Sequence, residues 1–148
     1  MVATTARHVD IDTEEGAMGT FVVHPSEGGP SPVVLFLMDA PGKRPLLHSM
    51  ATRLAEHGYY VMLPNLYYRT TPEFQLDFAS KDSFGRMVEL MSNLGNRKVG
   101  RDAGALLAHA AADAAADASR VGVVGYCMSG PFSVWVAAEY PEQVKAAA

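Results

Sequence analysis

The sequence predicts an α/β fold, with a mostly parallel sheet, an N-terminal β hairpin and helices on both faces. Three observations predict it. The apolar run Val33–Met38 fits a strand buried on both faces of a parallel sheet. Further apolar runs of strand length alternate with segments whose apolar residues recur at helical spacing. The two segments ahead of Val33 alternate polar and apolar residues, as hairpin strands do.

The elements follow in order. "RHVDID" and "TFVVHP" read as two strands joined by a turn in "EEGAMG". "SEGGPSP" is dense in Gly, Pro and Ser and is a loop. After the buried strand and the loop "APGKRP", Leu47, Met50 and Leu54 mark a helix that Gly58 stops. "YYVMLP" is the next strand, and "RTTPEFQLDFASKD" is a surface excursion without period. Met87, Leu90, Met91 and Leu94 mark a short helix; Val99, Ala103, Leu106, Leu107 and Ala110 mark a longer one. The alanine-rich "LLAHAAADAAADAS" extends that helix to an end bearing Asp, because alanine is the best helix former. "RVGVVGYC" is a strand and "GPFSVWVAAEY" a helix.

Composition narrows the function. With 148 residues, 49% hydrophobic, the chain can build one core. A net charge of −4 with scattered Lys and Arg excludes a nucleic-acid surface. No apolar run is long enough to span a bilayer, and a single cysteine suits a reducing compartment. The expectation is a cytoplasmic protein. The five histidines have no metal-ligand spacing with carboxylates, so no metal site is expected.

The cysteine sits in "VVGYCMSGPF", between a strand and a helix. Free cysteine is among the most buried residue types, so Cys127 could be a small core residue. The spacing points elsewhere. A nucleophile elbow, G-x-S-x-G, holds one side chain exposed on a strained strand-to-helix turn and needs small residues two places either side. Here those places hold Gly125 and Ser129, with Cys127 at the nucleophile. The helix amides favour a thiolate, and the amide of Met128 would face an oxyanion. A dinucleotide loop is excluded, because Gly122, Gly125 and Gly130 lack the G-x-G-x-x-G spacing.

"VGVVGYCMSG", "PVVLFLMDAPG" and "GYYVMLPNLYYR", in order and at these separations, resemble the dienelactone hydrolase family of α/β-hydrolases over about residues 20 to 148. The resemblance implies a truncated α/β-hydrolase fold and a hydrolase of ester or enol-lactone bonds that needs no cofactor. It implies that Cys127 is the nucleophile and that the amides of Ala40 and Met128 form the oxyanion hole. Asp39 matches a family glutamate that contacts the thiol, one methylene longer. A middle-region arginine would hold a substrate carboxylate: Arg86, with Arg101 competing. Tyr67 would line the substrate site. Other roles stay open: Asp39 as a cap of the "APG" turn, Tyr67 and Tyr68 as cover for the sheet edge, Arg86 as a solvated charge.

In α/β-hydrolases the acid and the histidine follow the nucleophile. The 21 residues after Cys127 contain Glu139 and Glu142 and no histidine. The chain ends at "YPEQVKAAA", which reads as the start of another strand. The expectation is a partial domain over residues 1–148, monomeric at full length and inactive as it stands. The competing expectation is a non-catalytic binding protein on a degenerate hydrolase scaffold.

Overall fold

The computed structural model describes residues 1–148. β1 (Thr4–Thr13) and β2 (Gly16–Pro25) form the expected hairpin, with Thr4 opposite Pro25 and Thr13 opposite Gly16. The turn is tighter than "EEGAMG" suggested. Only Glu14 and Glu15 separate the strands, because Gly16 adopts a φ of 128° and lets the following residues continue as strand. Then come β3 (Ser31–Leu37), α1 (Pro45–Ala55), β4 (Tyr60–Pro64), α2 (Lys81–Ser92) and α3 (Asn96–Ala111). β5 (Ala116–Gly125), a 3₁₀ turn (Cys127–Ser129), α4 (Gly130–Glu139) and β6 (Val144–Ala147) complete the chain.

One sequence expectation is corrected. The alanine-rich segment does not remain helical beyond Ala111. The Asp113 carboxylate accepts from the Ala115 amide and from the Tyr60 hydroxyl, and it pairs with Arg7. Tyr60 and Arg7 lie on other elements, and with the local Ala115 bond they outweigh alanine's helix preference. β5 therefore begins at Ala116, ahead of the "RVGVVGYC" that marks it in the sequence.

The sheet order is β1-β2-β4-β3-β5-β6. β4, β3, β5 and β6 run parallel, and the hairpin joins antiparallel through β2. β4 is buried along its whole length, and Leu35, Phe36 and Leu37 of β3 are fully buried beside it, which explains their unbroken apolar sequence. α1 packs on β2 and β4, whereas α3 and α4 pack across β1, β3, β5 and β6. The crossover from β3 to β4 runs one way along the sheet and those from β4 to β5 and β5 to β6 run the other, so right-handed connections place α1 on one face and α3 and α4 on the opposite one. On the α1 side, β5 and β6 carry no helix; Val34, Leu54, Tyr59, Val124 and Tyr126 border a shallow apolar cleft of about 340 Å³. No helix is long and apolar enough to cross a membrane.

The chain leaves β3 toward β4, while β5 lies on the other side of β3. The order reverses between β3 and β5, where Leu37 stands opposite Gly125. At such a switch point the two outgoing loops diverge and open a crevice.

Candidate active site at the end of β5

Both loops at the switch point carry the residues singled out from sequence. β5 ends at Gly125, Tyr126 remains extended, and Cys127 turns to a φ of 55°; it is the only residue other than glycine with positive φ. A left-handed conformation costs a residue with a Cβ about 1–2 kcal/mol, so the surrounding turn must hold it there. The thiol is exposed, and no side chain is hydrogen-bonded to the sulfur.

The turn is held by main chain. The Tyr126 amide donates to Leu37 O at 3.2 Å, and the Ser129 amide donates to Tyr126 O at 3.0 Å. A Cβ on Gly125 would lie 2.0 Å from Ser129 O, so the strand and the helix approach too closely there for any side chain. Gly130 has nothing within 4 Å of a Cβ position, so a glycine is not required there. Ser129, the departure from G-x-C-x-G, is fully buried, and its hydroxyl donates to Met38 O. It joins the elbow to the loop that follows β3.

That loop turns at Asp39–Gly42, closed by the Gly42 amide on Asp39 O at 3.1 Å with Gly42 at a φ of 89°. The amides of Ala40 and Met128 have no carbonyl or side-chain acceptor. Tyr67 brings the two residues together. Its hydroxyl donates to Ala40 O at 2.8 Å and lies 3.5 Å from the Met128 Sδ. Amides without acceptors are free to donate to an oxygen on which negative charge develops.

The structure gives four of the candidate residues definite partners. Asp39 is not hydrogen-bonded to the thiol: Arg44 donates to both its carboxylate oxygens, at 2.6 and 2.9 Å. Tyr67 is buried, and its hydroxyl is bonded to Ala40 O. Burial raises its phenol, with further contributions from Asp39 and Cys127, and so it stays protonated as a donor. Arg86 pairs with Glu89 one turn along exposed α2, because the two are three residues apart on a solvated face. Arg101 pairs with Glu15 at the hairpin turn, at the far edge of the sheet from β5.

Sequence reasoning missed Arg69. It donates to both oxygens of Asp102 and pairs with Glu15, and Tyr68 donates to Asp102 at 2.8 Å. The available signal was Asp102 itself, a carboxylate next to Ala103 on the apolar stripe of α3. No three His, Cys, Asp or Glu side chains are grouped to hold a metal ion. None of the five histidines is hydrogen-bonded to Cys127.

Comparison with known proteins agrees with this architecture. A crystal structure described as "Putative Dienelactone Hydrolase" from Klebsiella pneumoniae superposes with a TM-score of 0.82 at 28% identity, covering 98% of this chain and 58% of that one. A "Putative carboxymethylenebutenolidase" of Methylorubrum extorquens is 30% identical over 95% of this chain and 47% of its own length. The carboxymethylenebutenolidase of Pseudomonas sp. (strain P51) is 28% identical over 84% of this chain and 51% of its own. The chain thus spans about half the length of the curated relatives it matches. The family model for dienelactone hydrolases matches residues 18–148, and with this fold and this turn at the end of β5 the chain belongs to the dienelactone hydrolase family.

Proposed function

We propose that Cys127 is the nucleophile of a hydrolase acting on small-molecule esters or lactones. One observation carries this reading: an exposed thiol on a left-handed residue, in a turn joined through Ser129 and Tyr67 to the loop of Ala40, with the amides of Ala40 and Met128 left without acceptors. The family and the relatives named carboxymethylenebutenolidases support a lactone or ester as substrate. The sulfur attacks the acyl carbon, and the carbonyl electron pair moves to oxygen, where the two amides stabilise it. Collapse breaks the C–O bond, and the alcohol leaves with the proton given up by the thiol. The product is a thioester on Cys127, which water hydrolyses in a second step.

The second step needs a base, and no histidine of these 148 residues is hydrogen-bonded to the thiol. The polypeptide should therefore acylate and release slowly. The test is incubation with 4-nitrophenyl acetate. The expected result is a stoichiometric burst of nitrophenol without sustained turnover, an acetyl group on Cys127 by peptide mass spectrometry, and loss of both in Cys127→Ala. No adduct, or turnover that survives Cys127→Ala, overturns the reading and leaves a binding protein on a hydrolase scaffold.

A further inference from the structure

A second feature opens on the other side of the β3–α1 loop. A cleft of about 690 Å³ lies between β1, the start of α1 and the chain after β4. Its size suits a metabolite rather than a single ion. Its wall carries two cations, Lys43 and Arg44, with the imidazoles of His8 and His48, the amide of Asn65 and one carboxylate, Glu73.

These groups differ in what they already hold. Arg44 is committed to Asp39. Lys43 is half-buried, forms no salt bridge, and has one hydrogen-bond partner, His8 Nδ1 at 3.3 Å. His48 stacks on Phe21 and stands edge-on to His8; its Nε2 is buried with no partner. The amides of Leu46 and Leu47, in the first turn of α1, have no backbone acceptor, and this turn supplies Pro45 and His48 to the wall. Burial lowers the His48 imidazole to about 4, with Lys43 and His8 adding to the effect. The half-buried Lys43 ammonium is likewise lowered by burial, with Glu73 and Asp10 opposing. A cation kept half-dry with no salt bridge is expensive unless an anion visits.

We infer that this cleft is a binding site for a small molecule carrying an oxyanion, a carboxylate or a phosphate group, held by Lys43 with the first turn of α1, His48 supporting the wall. The site is separate from the thiol. Phe74 on its wall packs edge-on against Tyr67, whose hydroxyl reaches Ala40 and Met128, so one layer of side chains lies between the cleft and the elbow. The inference does not depend on the chemistry of Cys127.

The test titrates the whole chain with sodium succinate and, separately, with inorganic phosphate at constant ionic strength, followed by amide chemical shifts. Saturable shifts confined to residues 43–48 and 72–75 are expected, and the ion that saturates first identifies the class of group preferred. Lys43→Gln should weaken binding about tenfold, the scale of one charge-assisted hydrogen bond. Glu73→Gln should tighten it several-fold by removing the opposing carboxylate, a gain that a damaged fold would not produce. Cys127→Ala should bind unchanged, so a failure of the nucleophile reading leaves this one standing. Shifts elsewhere on the protein, no saturation with either ion, or equal affinity in Lys43→Gln and wild type would overturn it.

Discussion

Replacing Gly125 by alanine tests the elbow at its tightest point. The new methyl would sit 2.0 Å from Ser129 O, 2.5 Å from Ser129 C and 3.0 Å from Gly130 N, all main-chain atoms. Ordinary contact begins near 3.4 Å, so the strand and helix must part by more than 1 Å. No rotamer change can supply that movement. Ser129 cannot retreat cheaply either, because its amide is bonded to Tyr126 O and its hydroxyl to Met38 O. Overpacking alone costs about 1–3 kcal/mol, and each hydrogen bond lost adds about 1 kcal/mol. The sum is about 3–5 kcal/mol, a large share of the roughly 5–15 kcal/mol that holds a domain together. At about 2–4 °C per kcal/mol, Tm should fall by roughly 10 °C. The assay is urea and thermal unfolding followed by circular dichroism, with two neighbours as controls. Gly130→Ala meets nothing within 4 Å at helical φ and ψ of −53° and −54°, and should gain up to about 1 kcal/mol. Gly122→Ala meets only Ala146 O, at 3.9 Å, and should be close to neutral. Gly125→Ala unfolding within about 0.5 kcal/mol of wild type, or Gly130→Ala falling as far, would refute the close approach.

Three further outcomes are expected. Arg69→Gln leaves Asp102, whose side chain is 1% exposed, without its ion partner and should cost about 3–5 kcal/mol in urea unfolding; a loss below 1 kcal/mol would show that the pair contributes little. His48 has a folded pKa of about 4 against an ordinary 6.5, so between those values the unfolded chain binds a proton that the folded chain refuses. Stability from this group is complete above about pH 6.5 and declines toward pH 4; His48→Gln should flatten that decline, and an identical urea-midpoint profile in the variant would count against it. Tyr67→Phe removes the hydroxyl between Ala40 and Met128 while keeping the ring; acylation of Cys127 should slow about tenfold with iodoacetamide alkylation unchanged, and a parallel fall in both rates would mean that the ring, not the donor, matters.

Much of this was legible in the residues. Val33–Met38 and "YYVMLP" announce central strands because a strand covered on both faces leaves no position for a polar side chain. Gly125, Cys127 and Ser129 announce the elbow because a strand packed against its following helix excludes all but small side chains. Less legible was the fate of charges. Asp39, Arg86, Arg101 and Arg69 are each long or polar enough to reach several partners, and sequence spacing does not rank those partners. The stretch after Ala111 failed for the same reason, since Arg7 and Tyr60, far away in the chain, decide what Asp113 does there.

The sequence by itself determined the alternation of strands and helices and the place of the thiol on a turn, because those depend on steric and hydrophobic rules that act over a few neighbouring residues. Only the tertiary structure decided that Arg44 claims Asp39, that the Tyr67 hydroxyl bonds to Ala40, and that Lys43 lines a cleft while forming no salt bridge. Those pairings depend on which distant segments the sheet order brings within a few ångströms, where electrostatic energy changes steeply with distance and with exclusion of water.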